Sequence, residues 1–411
     1  MAMMFPLGRV LEIDLSRQES KLTTLDEQEV VDWLGGRGLL AKLLSDRLRP
    51  GVDYYSPDNP LIFTVGPLTG TRSPSAGRYS LGARSPMTGG YGMAFSGGPF
   101  GPAISYSGLQ AIIITGASKK PIALAIEGDK VSFRDASHLW GKNTFETQDQ
   151  LKEELGDPKA EISCIGPAGE NLVRFAAVIS ERRAAARCGL AAVMGSKKLK
   201  AIALTNTPKP AYEVARPDDF DAAVKECFKV LAKHPFSKVF KNLGSSLTLS
   251  VCQETGILPT RNFQEGVFEG ADNISGQRLK DEFRVRRTAS CYRCPVNCES
   301  EVRVDKGQYA GASTRGLEYE TLFALGSNCG NDNLESIIFM DMYCDMMGLD
   351  TMSLGVTVSF AMECFQRGLL TKEDTGGLDL SWGNHQAIKE LTDLIVTRKG
   401  LGDVLAEGAA L

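Results

Sequence analysis

The chain has 411 residues, 43% of them hydrophobic, and 46 Lys and Arg against 50 Asp and Glu give a formal charge of −4. That length exceeds what one hydrophobic core supports, so two domains or more are expected, and without a basic excess nucleic acid is excluded as a partner. No apolar run reaches the roughly 20 residues needed to cross a bilayer and the opening "MAMMFPLGRVLEIDL" lacks a signal-peptide pattern, so a cytoplasmic protein with no membrane association is expected.

In chain order, Leu11, Ile13 and Leu15 alternate with Glu12 and Asp14 and lead through "SRQES" to "KLTTL", the pattern of a half-buried hairpin. Asp26 and Glu29 form a capping-box signature ahead of "VVDWLGGRGLLAKLLSDRL", a helix interrupted by its glycines. Strands are predicted at "LIFTV" (61–65), at "AIIIT" (111–115) and within "PIALAIEGDKVSF", which turns at Gly128-Asp129. The proline-bearing stretch 205–219 marks a domain boundary. Beyond it "DDFDAAVKECFKVLAKH", "NLESIIFMDMYCDMMG", "DTMSLGVTVSFAMECFQRG" and "NHQAIKELTDLIVTRKG" have helical periodicity. The chain therefore divides into a β-rich domain, 1–207, and a mainly α-helical domain, 208–411, an α+β organisation.

Two segments of the first domain suit a phosphate-bearing cofactor. "VGPLTGTRSPSAGRYSLGARSPMTGGYGMAFSGGPFG" interleaves glycines with Arg72, Arg78 and Arg84, and "ERRAAARCGLAAVMGSKKLKAIAL" sets Arg182, Arg183 and Arg187 ahead of a small-residue stretch. Glycine lets backbone N–H groups crowd an anion, and arginine offers a bidentate fork. The alternatives are tight turns for the first segment and a solvated basic face for the second.

Ten cysteines in a cytosolic chain imply metal binding or burial rather than disulfides. Cys164, Cys188, Cys227, Cys252, Cys329, Cys344 and Cys364 stand singly, and burial accounts for most of them. Cys291, Cys294 and Cys298, in "CYRCPVNC", form a Cys-x2-Cys-x3-Cys run suited to three corners of an iron–sulfur cluster. Zinc is the competing ligand, although His138, His234 and His385 all lie far from the run. A fourth ligand would be Cys329, Cys344 or Cys364, or a residue outside the chain.

In order along the chain, "GRVLEIDL", "WLGGRGLLAKLL", "GPLTGTRSPSAGRY", "SGGPFG", "DASHLWGK", "IGPAGENLVRFAAV", "RAAARCGLAAVMGSKKLKAIA", "CYRCPVNC", "GLEYETLFALGSNCG" and "CDMMGLDTMSLG" resemble the tungsten-dependent aldehyde:ferredoxin oxidoreductase family. The resemblance implies a β-rich base for a tungsten (or molybdenum) bis-pterin, covered by two helical domains. It makes Cys291, Cys294 and Cys298 three ligands of a [4Fe-4S] cluster. The fourth comes in the family from a late D-x-x-G-L-C motif, which this sequence does not reach. The third domain, with its catalytic histidine, is therefore expected to be absent and the chain alone inactive.

By the same resemblance Arg78 lies between cluster and pterin. Phe95, Ser96, Gly97 and Gly98, with Arg183, Ala184 and Arg187, belong to the segments that hold the pterin phosphates and their bridging magnesium; Phe95 replaces a more usual asparagine. Asp345, Leu349 and Asp350 form the first D-x-x-G-L motif, at the pterin edge, and Glu320 is the acid/base beside the metal. Phe339 and Met342 replace an E-x-x-H pair that binds an interface iron in some members, which puts dimerisation in doubt. The implied activity is oxidation of a small aldehyde to its acid by water, with electrons passing to ferredoxin or another electron-transfer protein, in a homodimer or with electron-transfer subunits. A tungsten subunit of an aromatic acyl-CoA reductase-like complex and a non-catalytic zinc-binding module are the alternatives.

Overall fold

Alternation in "RVLEID" buries Val10, Leu11 and Ile13 on β1 (Arg9–Asp14), which pairs antiparallel with β2 (Glu19–Thr24) as the hairpin pattern requires. The computed structural model describes residues 7–207, 214–287 and 291–409, so positions 208–213 of the expected boundary lie outside the described residues. Contacts divide the chain into two units, Met1–Val230 with Cys291–Pro295, and Leu231–Ser290 with Val296–Leu411.

In the first unit, Asp26 caps α1 (Glu27–Trp33) by accepting the Glu29 N–H at 2.8 Å. The chain then turns at Leu34 and Gly35 into α2 (Gly36–Arg47), whose Leu39, Leu40, Leu43 and Leu44 are buried. They pack on Val10, Ile62, Ala111 and Ile113 of the first sheet. That sheet adds β3 (Leu61–Val65), β4 (Tyr79–Arg84), β5 (Tyr91–Ser96) and, beyond α3 (Phe100–Tyr106), β6 (Ala111–Thr115), in the order β2-β1-β6-β3-β4-β5. The glycine-rich segment, read as loops, thus contains a strand hairpin. Glycine and serine mask its alternation, although β4 is almost wholly buried.

A second six-stranded sheet follows. It contains β7 (Ile122–Glu127), β8 (Lys130–Asp135), β9 (Glu161–Cys164), β10 (Val178–Ser180), β11 (Arg183–Ala185) and β12 (Leu199–Leu204), in the order β11-β10-β9-β12-β7-β8. Three helices interrupt it: α4 (Thr144–Leu155), opened by an Asn143–Glu146 capping box, α5 (Pro167–Glu170) and α6 (Leu190–Ser196). Helices α3 and α6 touch strands of both sheets. Their small residues allow this: a Cβ at Gly195 of α6 would lie 2.0 Å from the Gly169 carbonyl oxygen of α5.

The first helix past the expected boundary, α7 (Pro217–Lys233), belongs up to Val230 to the β-rich unit. Arg72 accounts for part of this, pairing with Asp221 at 2.9 Å and lying 5.9 Å above the Phe220 ring.

The second unit contains α8 (Pro235–Leu243), α9 (Leu247–Glu254) and the single turn α10 (Gly276–Arg278). A three-stranded antiparallel sheet that the sequence did not announce follows: β13 (Arg284–Arg287), β14 (Ser300–Arg303) and β15 (Ser313–Arg315). Then come α11 (Tyr319–Leu325), α12 (Leu334–Met347), α13 (Thr351–Gln366), α14 (His385–Thr397) and α15 (Leu401–Leu405). Leu322, Ile337, Ile338, Leu354, Val358 and Leu391 are among its buried residues. Helix α12 stops at left-handed Gly348, and Asp350 caps α13 two residues later. Among the described residues no helix is long and apolar enough to cross a membrane.

Candidate functional site

In the first unit the β4–β5 register pairs Tyr79 with Ser96. Arg78, just before β4, and Gly97, just after β5, therefore face each other at the open end of the hairpin. Gly98 takes a left-handed φ of +83°, which a side chain would oppose. A Cβ there would also lie 2.8 Å from Arg183 Cδ, and one at Gly97 would lie 3.1 Å from Cys291 Sγ. Arg78 is exposed and Arg183 and Ala184 are half-buried. Phe95 keeps its backbone in the ladder opposite Ser80, with the Arg37 guanidinium 5.2 Å from its ring centre.

The hydroxyls of Tyr79, Ser96 and Ser163 are buried and none makes a well-aligned hydrogen bond. Burial pushes Tyr79 up to about 12. A backbone cradle of glycines with an arginine against it is suited to an oxygen-rich anion.

The cysteine turn is fastened to the same segment. The Cys294 N–H donates to the Cys291 carbonyl at 2.8 Å, closing the tight turn that the x2 spacing implied. The Tyr292 hydroxyl lies 2.9 Å from the Gly70 carbonyl and 2.7 Å from the Tyr106 hydroxyl. Arg293 donates Nε to the Arg72 carbonyl at 2.9 Å, and its carbonyl accepts the Ser75 N–H. Cys291 and Cys294 thus belong to the first unit, whereas Cys298 belongs to the second. Among the described residues no three His, Cys, Asp or Glu side chains gather as ligands of one metal ion.

At the "SKKLK" end of the second basic segment Lys198 is exposed, but the other two lysines form no solvated face. Lys197 and Lys200 are completely buried. Lys197 donates to the Pro57 and Gly116 carbonyls at 2.9 and 3.2 Å, and burial lowers its pKa to about 8. Lys200 donates to the Lys142 carbonyl at 2.8 Å and pairs with buried Glu170, whose other oxygen accepts the Gly141 N–H at 2.7 Å. Arg187, in contrast, is exposed.

In the second unit Glu320 occupies the first turn of α11 and is exposed. Beside it stands Glu318, the helix-capping residue, whose carboxylate accepts the Ser245 hydroxyl; that hydroxyl in turn accepts the Tyr319 N–H at 3.0 Å. Although Glu318 retains solvent-exposed surface, protein crowding around its carboxyl raises its pKa. The Ser245 bond opposes this, and the charges of Glu320, Asp341 and Glu299 add to it. Asp341, on α12, accepts the Thr314 hydroxyl at 2.5 Å and the Thr321 hydroxyl at 3.1 Å, and burial pushes it up to about 6.

Asp345 lies one turn further along α12 and is half-buried; Leu349 and Asp350 are buried. Asp350 accepts the Met352 N–H at 3.2 Å and the Ser353 hydroxyl at 2.6 Å. Glu318, Glu299 and Asp341 were not singled out from sequence. Their only signal was density of carboxylates in an apolar context.

The single cysteines are four buried, two half-buried and one, Cys227, exposed. As a fourth cluster ligand Cys329 and Cys344 are poor candidates. Burial raises both thiols, and Cys329 donates to the Ala324 carbonyl at 3.2 Å, whereas ligation needs an accessible thiolate. Cys364 is half-buried and its thiol is also raised, first by burial.

Residues 10–206 match the family model for the aldehyde ferredoxin oxidoreductase N-terminal domain, and residues 222–411 match the model for domains 2 and 3 of that family. The expectation that the chain carries nothing beyond the middle domain is amended accordingly, since the second match runs to Leu411. The chain is 43% identical over 405 residues to a tungsten-containing aldehyde ferredoxin oxidoreductase of Thermococcus kodakarensis and 40% identical over 405 residues to one of Pyrococcus furiosus. It is 33% identical over 420 residues to the WOR-like subunit of an aliphatic sulfonate oxidoreductase of Pyrococcus furiosus. In each comparison 98% of this chain is covered, and it spans 66% of the relative. Among solved structures, the active site complex of benzoyl coenzyme A reductase with 1,5-dienoyl-CoA superimposes with a TM-score of 0.85 at 30% identity, covering 98% of this chain and 62% of that one.

Proposed function

The chain belongs to the aldehyde ferredoxin oxidoreductase family, and from that premise we propose that it provides the cofactor-binding base and a carboxylate-lined part of the active site of an enzyme that oxidises an aldehyde to a carboxylic acid. The observation that carries this reading is the glycine pair Gly97 and Gly98, with the Cys291 thiol against Gly97 and the Arg183 side chain against Gly98. A phosphate-bearing pterin and an iron–sulfur cluster would both need ligands at such a place.

Phe95 to Gly98 and Arg183-Ala184 would hold the pterin phosphates and a bridging magnesium, partly through backbone carbonyls. Arg78 and Arg187 would neutralise charge, and Asp345, Leu349 and Asp350 would receive a second polar edge. Cys291, Cys294 and Cys298 would ligate the [4Fe-4S] cluster. A tungsten (or molybdenum) bis-pterin, when bound, supplies the two-electron oxidation, and the cluster supplies the outlet to ferredoxin or another electron-transfer protein.

The protein's own part is positioning and proton transfer. Oxidation of an aldehyde by water releases two electrons and two protons for each acid formed. Glu320, at the start of a helix and open to a substrate, would take a proton from the attacking water. Glu318, close enough for the two charges to interact, offers the next acceptor.

The test is anaerobic turnover by the protein expressed from its complete reading frame. Reduction of ferredoxin that depends on added aldehyde is the expected result; no reduction with any of a set of aliphatic and aromatic aldehydes would reject the reading. A second reading, an acyl-CoA-reducing subunit, has the structural likeness to benzoyl coenzyme A reductase in its favour. It predicts turnover of an aromatic acyl-CoA and none of aldehydes.

A further inference from the structure

We propose that Asp341 is a positioning residue for the acid–base site, locking the first turn of α11, which carries Glu320, to the first turn of α13 through the hydroxyls of Thr321 and Thr351. This rests on the functional reading above only for the role of Glu320; the lock itself is a property of the second unit.

Asp341 sits in the middle of "SIIFMDMYC", an otherwise apolar stretch of α12. A carboxylate there is costly on two counts, since aspartate is a poor residue for a helix interior and its charge is removed from water. Its hydrogen bonds reach other elements. Thr314 of β15 donates to Oδ2 at 2.5 Å, Thr321 of α11 donates to Oδ1 at 3.1 Å, and the Thr321 and Thr351 hydroxyls lie 2.8 Å apart. Thr314 and Thr321 are buried. Thr351 is the first residue of α13 and follows Asp350, the helix cap. One carboxylate thus ties β15, α11, α12 and α13 together at the helix starts that carry Glu320 and Asp350.

Counting protons gives the network a direction. Each threonine has one hydroxyl hydrogen. While Asp341 is ionised, Thr321 donates its hydrogen to Oδ1, so the bond between the two threonines must be donated by Thr351. When Asp341 binds a proton on Oδ1 the order reverses. Asp341 then donates to Thr321, Thr321 donates to Thr351, and the Thr351 hydrogen is freed to donate elsewhere. One proton taken up at Asp341 becomes one O–H donor released at Thr351, beside Asp350. The groups that feel the Asp341 charge are Glu318, at the cap of α11, and Cys344, on its own helix, with Glu320 and Asp345 next along the same two helices.

Amide hydrogen exchange, followed by mass spectrometry on the complete protein, tests this without requiring turnover. Thr321→Val and Asp341→Ala are each expected to speed exchange in Tyr319–Leu325 and in Thr351–Leu354 together, by about fivefold to tenfold, as loss of a buried hydrogen bond implies. Thr321→Ser, which keeps the hydroxyl, should match the parent. In the parent the protection of both segments should change with pH around 6, and in Asp341→Asn it should not.

Faster exchange confined to α12 and β15, or Thr321→Ser behaving as Thr321→Val, would overturn the proposal. If Thr321→Val fails to fold, Thr351→Val removes only the last hydroxyl, and unchanged exchange in the first turn of α11 would then reject the lock. Coupled exchange in a protein inactive on aldehydes would reject only the functional reading; uncoupled exchange in an active one would reject only the lock.

Discussion

The two units hold charge in opposite ways. Around Gly97 and Gly98 the first unit offers backbone, arginines and a thiol, and its two fully buried lysines are matched: Lys200 has both a carboxylate and a carbonyl, and Lys197 has two carbonyls. Around Glu318 and Asp341 the second unit collects acids whose pKa values burial raises, with hydroxyls rather than cations as partners. The arginines of the first keep their charge over the whole working range, as binding a polyanion requires. In the second, Asp341 gains and loses its proton around pH 6, as a group suited to proton transfer does.

The contrast can be broken most forcefully at Lys200. Lys200→Met leaves Glu170 buried without its cation and is expected to cost about 3–5 kcal/mol in urea denaturation at neutral pH. Because an unpaired carboxyl accepts a proton readily, that deficit should shrink as pH falls. Adding Glu170→Leu should recover most of it, and a deficit that persists in the double variant would mean that the pair is not what the first unit depends on.

In the second unit Glu320→Gln is expected to lower kcat by about 10²–10³-fold in the complete enzyme, while changing stability by no more than about 0.5 kcal/mol because the residue is exposed. A loss of stability without loss of kcat would reverse its assignment.

Asp341 supplies a pH signature of known sign. Its folded-state pKa is raised to about 6, so its contribution to stability is fully present below its ordinary value near 4 and is lost as pH rises through about 6. The change is at most about 3 kcal/mol by linkage. Asp341→Asn should flatten this part of the stability profile, as thermal melts between pH 4 and pH 8 would show.

The smallest effect is expected at the cradle. Gly98→Ala should cost about 1–2 kcal/mol for its left-handed backbone, yet it should lower bound pterin severalfold by displacing Arg183. Unchanged pterin content would detach the cradle from cofactor binding.

Much of the framework was legible where a local pattern coincided with burial. The β1–β2 hairpin, β3, β6, the β7–β8 turn at Gly128, and α12 to α14 all follow from alternation or helical spacing bounded by caps. Strands β4 and β5 escaped notice because glycine and serine stand where alternating apolar side chains would have marked them, and their burial comes from helices packed above. The burial of Lys200 in "SKKLK" had no local signal, because its partner lies 30 residues away at Glu170. Asp341 was hidden in the same way, its partners being 27 and 20 residues off. The cysteine turn and Arg78, Gly97, Gly98 and Arg183 were legible as candidates from motif resemblance, but only the fold brings Gly97 beside Cys291 and Gly98 beside Arg183.

We propose that the glycine cradle and the cysteine turn serve one cofactor assembly. The most direct test is elemental and pterin analysis of the protein purified anaerobically from its complete reading frame. Tungsten or molybdenum with a pair of pterins for each metal, together with about four irons per chain, is the expected result. Zinc as the sole bound metal, with no pterin, would contradict it.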